Sequence, residues 1–204
     1  MRVFQIRSHQ NADVLFEGKF VSFQACMEHA VVAKIDLSYA DLRNINLSNA
    51  NLDDAHLPYA DLSNTNLSGA NLSESTLSGA RFDLASLYNT CLAYSDLQEC
   101  HFEYTAFGGT DITGANLACS LFSGLSCFTL DFIHAAQMDG CQFKNQNGIV
   151  TAMSRPPIVI QGLQNSPLVF MDRFIKSGAL LLPYHEWPLA FETDADSLSR
   201  RRAG

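Results

Sequence analysis

Six histidines (His9, His29, His56, His101, His134 and His185) and six cysteines (Cys26, Cys91, Cys100, Cys119, Cys127 and Cys141) are the side chains of this 204-residue sequence best suited to bind a metal or to act as base or nucleophile. Their spacing supports neither use. No His stands at ligand spacing from another His or from a Cys, and there is no C-x-x-C pair. The patterns G-x-x-x-x-G-K-(S/T), G-x-G-x-x-G, G-x-S-x-G and H-E-x-x-H are absent, so a phosphate cradle, a nucleophile elbow and a zinc-protease site have no sequence support. Serine is abundant, yet nothing marks one as activated. No catalytic centre, metal or cofactor is expected, and the thiols are expected to stay reduced in a cytoplasmic protein.

What the sequence does concentrate is carboxylate. Residues 36–143 hold thirteen Asp and Glu against two Arg, a net −11, whereas residues 1–35 carry +1 and residues 144–204 carry +2. Such a surface keeps a protein soluble, or it meets a partner that reads negative charge. Which of these applies depends on the element that positions the carboxylates.

That element is a five-residue period. An apolar residue stands at Leu37, Leu42, Leu47 and every fifth position to Phe122, and after one extra residue the pattern resumes at Phe128, Ile133, Met138 and Phe143. Five fits neither the 3.6 of a helix nor the 2 of a long strand, so the chain must turn once per repeat after a short extended piece. The residue two before each centre is mostly Ala, Ser or Thr, with Cys100 and Cys141 among the exceptions. Alternating large and small inward residues fills a narrow closed coil. Asp131 breaks that rule, and local distortion is expected there. The extra residue predicts a bulge in Ser123–Cys127, and Leu121, Leu125, Leu130 and Phe132, outward in this register, call for a cover.

The flanks differ. Alternation in Val3–Ile6 and Val14–Phe16 predicts a hairpin within residues 2–21, and Phe23, Cys26, Met27, Ala30 and Val31 behind Ser22 predict an amphipathic, N-capped helix over 22–34. After Asn145–Gly148, residues 149–153, 157–163 and 167–176 are expected as short strands, with Leu180–Trp187 as a closing turn and a polar tail from Glu192. No stretch approaches the roughly eighteen apolar residues of a membrane span, and the N-terminal residues lack a signal-peptide run, so a soluble chain is expected.

The tract, with YADLR, NANLD, YADLS, GANLS and GANLA in it, closely resembles the pentapeptide-repeat family, whose signature is A-(D/N)-L-x-x. The resemblance implies an all-β solenoid, a right-handed quadrilateral β-helix with twenty residues per coil. The expected organisation is an N-terminal hairpin and capping helix (1–34), about five coils (35–145) roughly 26 Å long, a small C-terminal β cap (146–191) and a flexible tail (192–204). It also implies a non-catalytic, protein-binding scaffold of a bacterial cytoplasm.

Sorting outward residues into columns of twenty gives three acidic faces and one neutral. The first, centred on Leu37, carries Asp36, Asp96 and Glu99; the second, on Leu42, carries Asp41, Asp61, Asp83 and Glu103 with Arg43 and Arg81. The fourth, on Leu52, carries Asp53, Asp54, Glu74 and Asp111. These acids, Asp36 apart, are the candidate partner surface. The third face, with Asn46, Asn49, Asn66, Tyr88 and Asn89, is uncharged and is the candidate for self-association into a homodimer. One branch of the family is known for rods that resemble duplex DNA and bind type II topoisomerases, and a DNA-mimicking modulator is the alternative function. Direct nucleic-acid binding is disfavoured by the charge, since Arg200–Arg202 is too short a run to reverse it. An enzyme would need a pocket under the C-terminal segment near Leu125 and Phe132.

Overall fold

The computed structural model describes residues 1–161 and 167–186. The expectations for Trp187, for the end of the C-terminal segment and for the tail with Arg200–Arg202 lie outside the described residues. So does part of the expected 157–163 strand.

Strands β1 (Arg2–Arg7) and β2 (Val14–Phe20) form an antiparallel hairpin, followed by helix α1 (Phe23–Val32). Ser22 caps the helix by accepting the Ala25 N–H at 3.1 Å. At the other end Lys34 takes a left-handed φ of 56°, the Ile35 N–H returns to the Ala30 carbonyl and the Lys34 N–H to Val31. This is a Schellman closure with lysine where glycine is usual, and it aims the chain into the first repeat. Cys26, Met27, Ala30 and Val31 join the same buried cluster as Leu37 and Leu42. The hairpin is tied to the tract through Asp41 N–H to Arg7 carbonyl (2.7 Å) and His9 N–H to Tyr39 carbonyl (2.9 Å).

The tract is a stack of twenty-residue turns. Parallel bridges join Asp41 to Asp61, Asn46 to Asn66, Asn51 to Asn71 and His56 to Thr76, and continue at that offset to Asp96 and Asn116. From Leu37 to Leu97 each centre donates its N–H nineteen residues ahead, as from Leu47 to the Asn66 carbonyl (2.8 Å), and from Asp61 to Leu121 the residue before a centre donates twenty-one back, as from Asn66 to Ile45 (3.0 Å). Short strands β3 (His101–Phe102), β4 (Leu121–Ser123) and β5 (Gln142–Lys144) continue one such ladder. Phe82, Phe102 and Phe122 stack in its interior with centroids 5.1 and 4.9 Å apart, the spacing of the strands themselves.

Every corner has one backbone solution. At each fifth residue from Tyr39 to Gly124 the chain takes a φ between 53° and 80°, the second central residue of a turn such as Leu37–Ala40. Where Tyr59 and Tyr94 lie flat toward the next coil, glycine sits above them. A Cβ on Gly79 would come within 2.4 Å of the Tyr59 ring.

The register departs from the expectation at one place. Inward positions run on unbroken to Cys127 (0% exposed) and Phe132 (3%), while Ile133 is 76% exposed and Phe128 is only partly covered. Two 3-10 turns, Leu125–Thr129 and Phe132–His134, replace bridged rungs there. The extra residue therefore enters between Phe132 and Met138, not in Ser123–Cys127, and the offset becomes twenty-one at Asn116–Gln137 and Phe122–Phe143. Asp131 does not point inward. It is exposed, accepts the Ile133 N–H and pairs with His134 at 2.8 Å, and Leu130 takes the buried position. Leu130 and Phe132 are thus core residues, and of the four apolar residues expected to need a cover only Leu125 is exposed.

Beyond β5 the chain reverses at Asn145–Ile149, and β6 (Val150–Ala152) pairs antiparallel with β5, closing that parallel ladder. Four strands then form an antiparallel meander: β7 (Ile158–Ile160), β8 (Leu168–Phe170), β9 (Phe174–Ser177) and β10 (Leu180–Pro183). The single strand expected at 167–176 is two, because Met171 and Phe174 bond to each other across a tight turn. Val169, Met171 and Leu181 extend the core of the tract. Among the described residues no helix is long and apolar enough to cross a membrane.

Removing a stacked ring leaves a cavity between coils, so Phe102→Ala is expected to cost about 3–5 kcal/mol in urea unfolding. Gly79→Ala is expected to cost about 1–2 kcal/mol, and less in a Tyr59→Ala background. Strictly additive losses in that double-mutant cycle would remove the ring-on-glycine contact as the reason for Gly79.

Candidate functional site

Where the residue before a centre is Asp or Asn, it serves a local purpose. Its side-chain oxygen accepts the N–H two residues on: Asn46 from Ser48 (3.1 Å), Asp61 from Ser63 (3.0 Å), Asn66 from Ser68 (3.1 Å), Asp96 from Gln98 (3.2 Å) and Asp111 from Thr113 (2.9 Å). An amide braces this turn as well as a carboxylate does. Charge at Asp41, Asp61, Asp96 and Asp111 is therefore additional to what the corner needs.

Ser and Thr at the inward position are satisfied by one acceptor. Thr65, Thr90, Thr105 and Ser120 donate to the carbonyls of Leu42, Leu67, Phe82 and Leu97, twenty-three residues back, at 2.6–2.8 Å. Cys100 and Cys141 direct their thiols to Leu77 and Leu117 in the same manner. Burial pushes the Cys141 thiol up to about 12, so it behaves as a small hydrophobe.

The acidic candidates divide by face. On the second face every one is neutralised: Arg43 holds Asp41 at 2.7 Å and lies 3.7 Å from Asp61, Arg81 holds Asp83 at 2.7 Å, and Lys144 reaches back to Glu103 at 3.0 Å. Asp54 is paired with Lys34. Asp53, Glu74, Asp96, Glu99 and Asp111 have no Lys or Arg partner among the described residues, and all five lie on the fourth and first faces, which adjoin at the corner carrying Asp53 and Glu74. Hydrogen bonds from Thr113 hold Asp111 below the usual carboxylate range. The Arg43 guanidinium does the same for Asp41. Sequence spacing missed these pairings because two of the cations, Lys34 and Lys144, stand just outside the acidic tract.

The neutral candidates fall together. Asn46, Asn66, Ser86 and Ala106 bridge in one column, and Tyr88 and Asn89 occupy the corner beside it. Asn49 and Asn89 sit under Gly69 and Gly109, whose missing side chains make room for the amides. The result is an uncharged band of amide, hydroxyl and glycine with Tyr88 half exposed.

Residues 33–69 and 65–103 match the family model for pentapeptide repeats, in eight copies. Among solved structures the chain is similar to HetL, a pentapeptide repeat protein involved in heterocyst differentiation regulation from the cyanobacterium Nostoc sp. strain PCC 7120, with 26% identity over 49% of this chain and 45% of that one (TM-score 0.30). It is similar to Rfr23, a pentapeptide repeat protein of the cyanobacterium Cyanothece 51142, with 19% identity over 53% and 83% of the two chains (TM-score 0.29). It is also similar to QnrB1, a plasmid-mediated fluoroquinolone resistance protein, with 16% identity over 50% and 66% (TM-score 0.27). The chain thus spans under half the length of HetL. No curated protein matches.

Arg43→Ala is expected to raise the Asp41 midpoint toward the ordinary value of about 4, read by carboxyl-carbon NMR titration. Because the folded value is depressed, the pair stabilises the protein above the unfolded carboxylate pKa, and the gain is lost as pH falls through the folded one. At pH 6 the loss on mutation should be small, since solvent screens a half-exposed guanidinium. An unmoved midpoint would show that Arg43 does not neutralise this face.

Proposed function

We propose that this chain, whose residues 33–103 belong to the pentapeptide-repeat family, is a non-catalytic protein-interaction scaffold. In this reading the tract winds as a right-handed quadrilateral β-helix of about five coils, capped by the hairpin and α1 at one end and by the C-terminal strands at the other. The six free thiols suit a reducing cytoplasm.

The observation that carries the reading is the sorting of charge by face. A stack in which Asp and Asn serve the corner equally has no structural reason to keep acidic residues off one face. The neutral band of Asn46, Asn49, Asn66, Tyr88 and Asn89 approaches a second copy of itself without setting like charges opposite one another, and it is the surface assigned to self-association. Changing Asn66 and Asn89 together to Asp keeps the acceptors and adds two charges per copy. Sedimentation equilibrium is expected to show a weakened dimer; an unaltered oligomeric state removes the assignment.

A second reading rests on the unpaired acids. Asp53, Glu74, Asp96, Glu99 and Asp111 offer a one-sided negative surface to a basic partner, which includes a type II topoisomerase. A mimic of duplex DNA carries charge all round, and here one face is uncharged and another self-neutralised, so one-sided contact is favoured over mimicry by the whole rod. Asp53→Asn with Glu74→Gln and Glu99→Gln should abolish any salt-sensitive effect on DNA supercoiling, whereas Asp61→Asn and Asp83→Asn should not. No effect of the unmodified protein at micromolar concentration would end this reading.

A further inference from the structure

A cavity of about 180 Å³ lies where the tract meets the C-terminal sheet, lined among others by Tyr104, Leu125, Phe143, Lys144, Lys176 and Ala179. Its walls are mostly apolar, and its two cations differ. Lys144 gives its ammonium to both Glu103 oxygens at 3.0 Å, which leaves that pair neutral. Lys176, on β9, is only 7% exposed, and its ammonium donates to the Gly178 carbonyl of the next turn. No carboxylate lies within ion-pair distance of it among the described residues.

The Cys127 thiol beside it cannot serve as counter-ion, because full burial raises that thiol far above its ordinary value. Burial correspondingly lowers the pKa of Lys176. A buried ammonium satisfied by one carbonyl is costly, whereas a carboxylate brought to it restores charge balance and adds charge-assisted hydrogen bonds. The volume falls below the roughly 300–1,000 Å³ of drug-sized sites, so the complement is small.

We propose that this cavity binds a small monoanionic carboxylate with an apolar body, its charge on Lys176 and its body against Leu125 and Phe143. The site is independent of the scaffold reading, since it uses neither the neutral face nor the unpaired acids.

Benzoate and its neutral counterpart benzamide are the probes, titrated into the full chain and followed by calorimetry and amide NMR. Benzoate should saturate with shifts confined to residues 103–104, 124–127, 143–146 and 176–179, and benzamide should bind at least about tenfold more weakly. Lys176→Met should weaken benzoate by about tenfold or more without lowering the melting temperature, because the uncompensated charge is gone. Ala179→Phe, on the exposed turn after β9, should close the cavity and abolish binding; it keeps the test decisive if Lys176→Met does not fold. Equal binding of the two probes, retention of benzoate by a folded Lys176→Met or by Ala179→Phe, or no saturation by about 10 mM would overturn the proposal.

Discussion

Backbone hydrogen bonding across coils governs this structure, because a repeat satisfies little more of its own backbone than the corner bond, such as Ala40 N–H to the Leu37 carbonyl. A five-residue step is too short for a helix turn to close on itself and too bent to be a strand, so its N–H and C=O groups must find partners one coil away. The offsets of nineteen ahead and twenty-one back, kept from Leu37 to Leu92, are the form that requirement takes. From it follows the corner. Four corners in twenty residues leave room for one conformation, and the left-handed residue at every fifth position is accepted even where it is Tyr94, Leu84 or Glu99. Each such non-glycine corner costs about 1–2 kcal/mol locally, which the ladder and the packed Leu and Phe columns offset.

The same constraint assigns most polar side chains before function is considered. Inward hydroxyls, Ser95 apart, take the carbonyl twenty-three residues back, and the Asx position braces its own corner. Corner amides lie over glycines of the next coil or ladder with each other, as Asn64 does with Asn44 at 2.7 Å. What remains free is the choice between Asp and Asn, the identity of the exposed corner residues, and the ends. Partner recognition has to be written in that remainder, which is why the distribution of paired and unpaired acids carries more information than the net charge of the tract.

The repeat was legible from its five-residue period, while the coil length came with the family resemblance; together the two place Phe82, Phe102 and Phe122, and Tyr39 with Tyr59, one above another, as they are found. Legibility ended where two registers scored alike. Cys127 and Phe132 compete with Phe128 and Ile133, all apolar, and sequence alone gives no reason to place the extra residue before or after them. Continuity of the inward column decides it, since only the earlier register keeps Cys127 over Phe107 and Phe132 over Ile112. The cancellation of the second face was illegible for another reason. It depends on Lys144, forty-one residues from Glu103 and beyond the last acid of the tract, so no local charge count reveals it. The Asx brace was hidden because Asp in a signature invites a functional reading while its hydrogen bond is a turn.

The end of the stack is where these rules lapse. After Phe132 the offset slips by one and β6 runs antiparallel, although the Cys141 thiol still reaches the Leu117 carbonyl of the coil below. Tyr104, whose corner column reaches Gly124 and then loses its successor, is left beside Leu125 and the turn after β9. Lys176 arrives there on a strand that belongs to a different sheet, so neither the ladder nor the Asx pattern prescribes an acceptor for its ammonium. A buried lysine at a position the repeat does not control must be tolerated for a reason outside the repeat, since an apolar side chain of the same length would fill the space at lower cost. The ammonium and the apolar walls around it therefore belong to the part of the molecule where selection for a ligand can act without disturbing the coils.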